Sequence, residues 1–215
     1  MSQMNDWKLI LKVVLGSALL LGVAIWGLSK MASPESAQKV DEKILLEGAR
    51  FVKENGETKV TVVNFSDMQC PSCKAADLQT RELFNMPGVK IVTRLFPLPP
   101  SLHRYALISA KAVETARMMG KGWEMMTILY DKQEEWSAVD KPEKSFAEYA
   151  KSLGLDTKIF LEKLSSKEVN DNVQVDANLA ASLQLPGTPT YFIDGEQVGA
   201  PFVMDKVKEI LAKSK

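Results

Sequence analysis

Cys70-Pro71-Ser72-Cys73 constrains this chain more than any other segment, because it holds the only two cysteines. Two residues between thiols let both side chains face one side of a single helical turn, close enough to form a disulfide. Pro71 suits the first turn of a helix, where its missing N–H costs nothing. Cys70 then stands at the helix N-terminus, where unpaired N–H groups and the macrodipole stabilise a thiolate. The preceding Lys59–Phe65 reads as a buried strand and the following Ala75–Phe84 as a helix. A strand, a short loop, the two cysteines and a helix form the setting in which this spacing means redox chemistry.

Two other readings of the cysteines are weaker. A structural zinc site needs four ligands, and the chain offers two cysteines and one histidine, His103. No metal is expected. A static disulfide closing so small a ring constrains little chain and stabilises little.

The 215 residues suffice for one or two domains with a real core. The 27 basic residues balance the 27 acidic ones, which excludes the basic footprint of a nucleic-acid binder. Leu9 to Leu28 is apolar except for Lys12, and about 20 such residues span a bilayer core. The expectation is an N-terminal transmembrane anchor over 9–28, with 1–8 cytoplasmic and Lys12 snorkelling to the interface. The alternative is a cleaved signal peptide. Cleavage after Ala32 would put Lys30 where a small residue is wanted. Either reading exports the rest of the chain to the extracytoplasmic side of the cell membrane. A chain without a third cysteine fits that compartment, where a spare thiol risks mispairing.

Residues 29–39 read as a linker. Residues 40–97 and 186–215 read as one α/β domain, interrupted by a helical insertion over 98–185. Val40–Arg50 carries a short amphipathic pattern anchored by Ile44, Leu45 and Leu46. Asn55-Gly56 is a turn. Val89–Leu95 alternates as a second strand, and a helical crossover from the first strand makes the two parallel. The insertion reads as helices over Leu102–Met119, Trp123–Glu135, Ser145–Leu153, Thr157–Leu164 and Val169–Leu185. Thr190–Ile193 and Glu196–Val198 form a hairpin about Asp194-Gly195, and Val203–Lys213 is a closing helix. Pro189, directly before a strand, is either an ordinary strand residue or a cis-proline. The residues alone leave both open.

The chain resembles the DsbA-type thiol-disulfide oxidoreductases, and more narrowly their membrane-anchored or secreted bacterial branch. The resemblance rests on Asn64-Phe-Ser-Asp-Met-Gln-Cys-Pro-Ser-Cys-Lys74, Arg94-Leu-Phe-Pro-Leu98 and Gly120-Lys-Gly-Trp-Glu-Met-Met126. Leu129-Tyr-Asp-Lys-Gln133 with Trp136, and Gly187-Thr-Pro-Thr-Tyr-Phe192, complete it. It covers about residues 58–212. It implies a thioredoxin fold with a helical insertion. Cys70 matches the exposed attacking cysteine and Cys73 its buried partner. Pro189 matches a cis-proline beside the dithiol. Thr188 matches the residue whose backbone pairs with an extended client, a form of β-strand addition.

The implied activity is introduction of disulfides into reduced or unfolded exported proteins. The redox-active disulfide Cys70–Cys73, expected as the resting form, would serve without a cofactor. A quinone-linked membrane partner (DsbB- or VKOR-like) would reoxidise a monomeric enzyme held at the membrane by its N-terminal helix. Pro71 and Ser72 would tune the potential. They stand where the best-known strong oxidants carry Pro-His, and a serine donates a weaker hydrogen bond. About 30 mV is a tenfold change in equilibrium constant for such a couple.

The alternatives are a reductase or isomerase on the same scaffold, although no dimerisation module for an isomerase is visible. A non-catalytic chaperone is a further alternative, but binding alone needs no thiols. His103 reads as a helix-start or surface histidine, and Asp67 as a loop cap or an influence on Cys70. Met118, Met119, Met125 and Met126 read as core more than as a client groove, and Trp123 and Trp136 as core of the insertion.

Overall fold

A computed structural model of the protein describes residues 38–214. The expected membrane segment at 9–28 and all but the last two residues of the linker lie outside them. Among the described residues, no helix is long and apolar enough to cross a membrane.

The run Val60-Thr-Val-Val is β-branched throughout, and such side chains pack well on a pleated surface. It opens β2 (Val60–Ser66), the middle strand of a five-stranded sheet. β3 (Val89–Leu95) lies parallel to it, with Val60 opposite Val89. The crossover between them is α2 (Pro71–Thr80) and a tight helical turn over Arg81–Asn85. β4 (Thr190–Ile193) runs antiparallel to β2 on its other side, and β5 (Glu196–Val198) returns beside β4. Asp194 and Gly195 both have positive φ, 48° and 82°, as the expected two-residue hairpin turn requires. A Cβ on Gly195 would also collide with the Val40 carbonyl. β1 (Phe51–Glu54) adds an edge strand antiparallel to β3, which the sequence reading lacked.

Alternation along the strands sorts the core into two layers. Val60, Val62, Ile91, Tyr191 and Ile193 face Ala76 of α2, Leu83, and Val203 and Val207 of the closing helix α9 (Val203–Lys213). Val63, Phe65, Val92 and Phe192 face Leu45 of α1 (Glu42–Leu46) and Ala180 of α8 (Lys167–Ser182). Only Leu45 of the three expected anchors is fully buried, since Ile44 is 45% exposed. The last helix of the expected insertion thus covers one face of the sheet.

The other insertion helices are α3 (Ala106–Met118), α4 (Gly122–Asp131), α5 (Gln133–Ser137), α6 (Glu143–Ser152) and α7 (Thr157–Leu164). The helix expected over Trp123–Glu135 breaks at Lys132, which caps α4 and opens α5. The helix expected from Leu102 starts at Ala106, because Leu102 and His103 turn back onto the Pro99 carbonyl. Asp156 and Ser166 cap α7 and α8 through the N–H groups of Ile159 and Val169, the preferred use of such side chains. Trp136, Phe146, Phe160, Met125 and Met126 fill the core of the insertion, and Cys70 and Cys73 join its edge. Trp123 is only partly buried, edge-on to Phe51 and Phe84.

One buried ion pair ties these layers together. Arg94 on β3 is 0% exposed and lies 2.9 Å from Asp176 of α8. The same guanidinium donates to the Leu45 and Glu47 carbonyls at 2.7 Å each. Asp176 accepts from Leu95 N–H at 3.0 Å and meets Arg50 at 3.1 Å. Removing one partner from such a pair costs about 3–5 kcal/mol, because it strands the other charge. Asp176→Ala is therefore expected to lose stability of about that size in urea unfolding. A loss below about 1 kcal/mol would show that the pair is dispensable.

Candidate active site

Cys70 is the N-cap of α2, with extended backbone (φ −74°, ψ 120°), and Pro71 begins the helix behind it. The Cys70 carbonyl accepts from the N–H groups of Cys73 and Lys74 at 3.1 and 3.2 Å. Both cysteines are free thiols, so the geometry is that of the dithiol form. Cys73 is 1% exposed, and Cys70, expected to be exposed, is only 5% exposed. The Thr188–Pro189 segment accounts for that cover. Its peptide bond is cis, and the Thr188 carbonyl lies 3.5 Å from Cys70 Sγ and 3.4 Å from Ser72 Oγ. Ser72 itself is exposed and stands 2.9 Å from Cys70 Sγ. The structure thus brings together all six residues singled out in sequence: Cys70, Pro71, Ser72, Cys73, Thr188 and Pro189.

The two thiols are electrostatically unequal. A hydrogen bond from Cys73 draws the Cys70 thiol down to about 4, helped by Ser72 and Thr188 and opposed by burial. Burial pushes the Cys73 thiol far up, and the neighbouring Cys70 charge pushes it further. Hydrogen bonds favour the charged form of an acid and burial disfavours it, so of the two sulfurs Cys70 is the one whose surroundings favour the thiolate.

The loop before α2 is held from several sides. Asp67 is buried and accepts from Gln69 N–H at 2.7 Å and Leu98 N–H at 2.9 Å. Oδ2, the oxygen that takes the Leu98 N–H, also lies 2.8 Å from His103 Nδ1. Asp67 is thus the expected loop cap, and His103 is its partner more than a surface residue. Burial raises the Asp67 carboxyl, while His103 and the two backbone donors oppose that rise. Gln133 was absent from the sequence-based set of candidates. It is buried and donates Nε2 to the Met68 and Cys70 carbonyls at 2.8 and 3.0 Å. Beside it, Lys74 pairs with Glu134 at 2.6 Å. Among the described residues, no cluster of His, Cys, Asp or Glu is placed to hold a metal ion.

A βαβ sheet with an added hairpin, a dithiol at a helix start and a cis-proline beside it define a thioredoxin-fold dithiol protein. A family model described as thioredoxin matches residues 52–213. A thioredoxin-like oxidoreductase from Silicibacter pomeroyi DSS-3 superposes with TM-score 0.64 at 25% identity, covering 82% of this chain and 99% of that one. BdbD from Bacillus subtilis superposes with TM-score 0.63 at 19% identity, covering 82% and 97%. The thiol-disulfide exchange protein alpha-DsbA2 from Wolbachia pipientis does so at 0.63 and 20%, covering 79% and 90%. The chain belongs to the thioredoxin family, and its likeness to BdbD and alpha-DsbA2 is one of fold. Such proteins work through a redox-active disulfide without a cofactor.

The chain is also similar to several longer proteins named Na(+)/H(+) antiporter. NhaA 3 of Salinispora tropica is 34% identical over 147 residues, 68% of this chain and 22% of the antiporter. NhaA 1 of Mycolicibacterium vanbaalenii is 31% identical over 194 residues, 86% of this chain and 30% of the antiporter. The chain thus spans a fifth to a third of the length of these relatives.

The unequal thiols make a direct prediction. In the reduced protein, thiolate absorbance at 240 nm should persist far below the ordinary cysteine range and fade only near pH 4. Cys73→Ala should move that midpoint upward by roughly one to two pH units, since a hydrogen bond to a charged group contributes about 1.5–3 kcal/mol. Ser72→Ala should move it less. A midpoint near 9.0 in the unaltered protein would overturn the assignment.

Proposed function

We propose that the protein is an extracytoplasmic oxidase that introduces disulfides into exported proteins through Cys70 and Cys73. The observation that carries this reading is the geometry of the pair: Cys70 stands at the start of α2 with Ser72 Oγ 2.9 Å from its sulfur, and Cys73 is buried behind it, an arrangement that lowers the Cys70 thiol and raises that of Cys73. A sulfur stabilised as thiolate is a good leaving group, and stabilising the reduced form is what makes a dithiol an oxidant.

In the oxidised enzyme a client thiolate attacks Cys70 Sγ, the S–S bond breaks, and Cys73 leaves and takes up a proton. A second client thiolate attacks the client sulfur of the mixed disulfide. Cys70 leaves as its stabilised thiolate, and the client departs with its disulfide. Thr188 and Pro189 border the sulfur and would hold the client as an added strand, reading backbone more than side chains. Ser72 tunes the thiolate by its hydrogen bond. A quinone-linked membrane partner would return the dithiol to the disulfide. The apolar segment at 9–28 would keep the enzyme beside that partner and raise its effective concentration. Ion transport is the named activity of the longer relatives and is not proposed for this dithiol domain.

The deciding measurement is the equilibrium reduction potential of the pair in the full chain against glutathione. A value about −120 to −180 mV, with oxidation of a reduced model client that is lost in Cys70→Ala, is the expected result. A value near about −270 mV would reassign the protein as a reductase.

A further inference from the structure

The loop that delivers Cys70 from β2 to α2 is held by residues that lie outside both. The Tyr105 N–H, just before α3, donates to Gln69 Oε1 at 2.6 Å. The hold that reaches Cys70 itself comes from Gln133, the first residue of α5. Neither residue touches a reacting sulfur, yet Gln133 bears on where the Cys70 sulfur stands.

Gln133 is 4% exposed. Its Nε2 carries two hydrogens, one for the Met68 carbonyl at 2.8 Å and one for the Cys70 carbonyl at 3.0 Å. An amide oxygen turned to that place would face two acceptors, so the side chain has one usable orientation. The two carbonyls belong to peptide planes on either side of Gln69 and Cys70. The Cys70 N–H is held as well, by the Asp67 carbonyl at 3.2 Å. With its N–H and its carbonyl both fixed, the Cys70 backbone has no free rotation left. The N–H groups of Cys73 and Lys74 also reach the Cys70 carbonyl, but these are bonds of α2 itself and travel with its first turn. Among the described residues, Gln133 is the side chain that ties the Cys70 backbone to the insertion. Its own support is rigid, because Trp136 of the same helix is 0% exposed in the core that Cys70 and Cys73 share.

We propose that Gln133 is a positioning residue of the exchange reaction, whose amide holds Cys70 so that its Sγ stays 2.9 Å from Ser72 Oγ and 3.5 Å from the Thr188 carbonyl. The proposal rests on the reading of Cys70 and Cys73 as an exchanging pair, whether oxidase or reductase. A hydrogen bond weakens steeply once it is misaligned. A first turn of α2 released from the insertion would therefore give the sulfur a poorer donor in Ser72. That loss falls on one redox state. The reduced protein can carry a charge on Cys70 Sγ, and a hydrogen bond to a charged group is about twice as strong as one between neutral groups. The disulfide carries no charge there. The bonds from Gln133 to the two carbonyls involve no sulfur, so they weigh alike on dithiol and disulfide. Removing Gln133 should thus disfavour the dithiol relative to the disulfide.

The test compares redox equilibrium with stability in the full chain. Gln133→Met keeps the length of the side chain and removes both donors. Each protein is equilibrated with reduced and oxidised glutathione, and the dithiol fraction is read by alkylation and mass spectrometry. Oxidised glutathione takes two electrons from the dithiol, which becomes the disulfide as two reduced glutathiones are released. Gln133→Met should move this equilibrium about tenfold toward the disulfide, or about 30 mV. The midpoint of its thiolate absorbance should rise by about one pH unit, the same factor. Gln133→Asn keeps the amide but falls one methylene short. It should move both readings in the same direction, and decides the matter if Gln133→Met does not fold. A merely structural role would weaken the oxidised variants in urea and leave the equilibrium and the absorbance midpoint unmoved. That result would overturn the proposal and leave the exchange reading intact. A move toward the dithiol would overturn it as well. An unaltered protein that does not exchange with glutathione would end both proposals.

Discussion

A full positive charge at zero exposure is the constraint around which this fold is assembled. Arg94 can stay buried only because Asp176 and the Leu45 and Glu47 carbonyls surround it. Those partners come from α8 and from the segment around α1, so the charge cannot be satisfied until both have packed on the sheet. An apolar replacement of similar volume could be as stable, since burying an ion pair carries a desolvation penalty comparable to its attraction. What the pair supplies is position. Asp176 holds Leu95 N–H, Phe96 N–H donates to the Ser66 carbonyl at 2.9 Å, and Leu98 N–H reaches Asp67. Three successive anchors thus run from the ion pair along the end of β3 to the loop that carries Cys70.

The insertion completes the site instead of decorating it. Trp136, Leu129 and Met125 share a core with Cys70 and Cys73. Gln133 donates to the Met68 carbonyl, whose loss of a partner would cost about 1–3 kcal/mol, and adds a third donor to the Cys70 carbonyl, which already takes the N–H groups of Cys73 and Lys74. The break at Lys132 makes this possible, because it starts a new helix with Gln133 as its first residue. A continuous helix over Trp123–Glu135 would carry that side chain in another direction.

Local signals were legible and long-range ones were not. Asp194-Gly195 announced the β4–β5 hairpin because its turn chemistry is contained in two residues. The β-branched run of β2, the Pro71 helix start and the bounds of α7 were readable for the same reason. β1 was not, since it has four residues and one buried side chain, Phe51. It exists through pairing with β3, not through any pattern of its own. Arg94, Asp176, Gln133 and Tyr130 were illegible as interior partners. A charged or amide side chain on a helix or strand reads as solvated, and their partners lie 47 or more residues away. Proximity in sequence did mark Asp67, three residues before Cys70, but only the fold reveals that His103 is its partner.

The setting of Cys70 also bears on how a dithiol without an intervening histidine can have its reduced form stabilised. Its largest stabilisation comes from the Cys73 thiol, and the next favourable contribution from Ser72. The first of these exists only while the disulfide is open, because closing it removes both the proton and the charge. It therefore lowers the free energy of the reduced form alone. Each 1.4 kcal/mol of such one-sided stabilisation raises the potential by about 30 mV. A buried Cys73 donates in a low-dielectric setting, where a hydrogen bond to a charge is stronger than at the surface. Ser72 is exposed and divides its hydroxyl between Cys70 Sγ and the Thr188 carbonyl. The burial of Cys73 thus compensates for the modest donor at position 72.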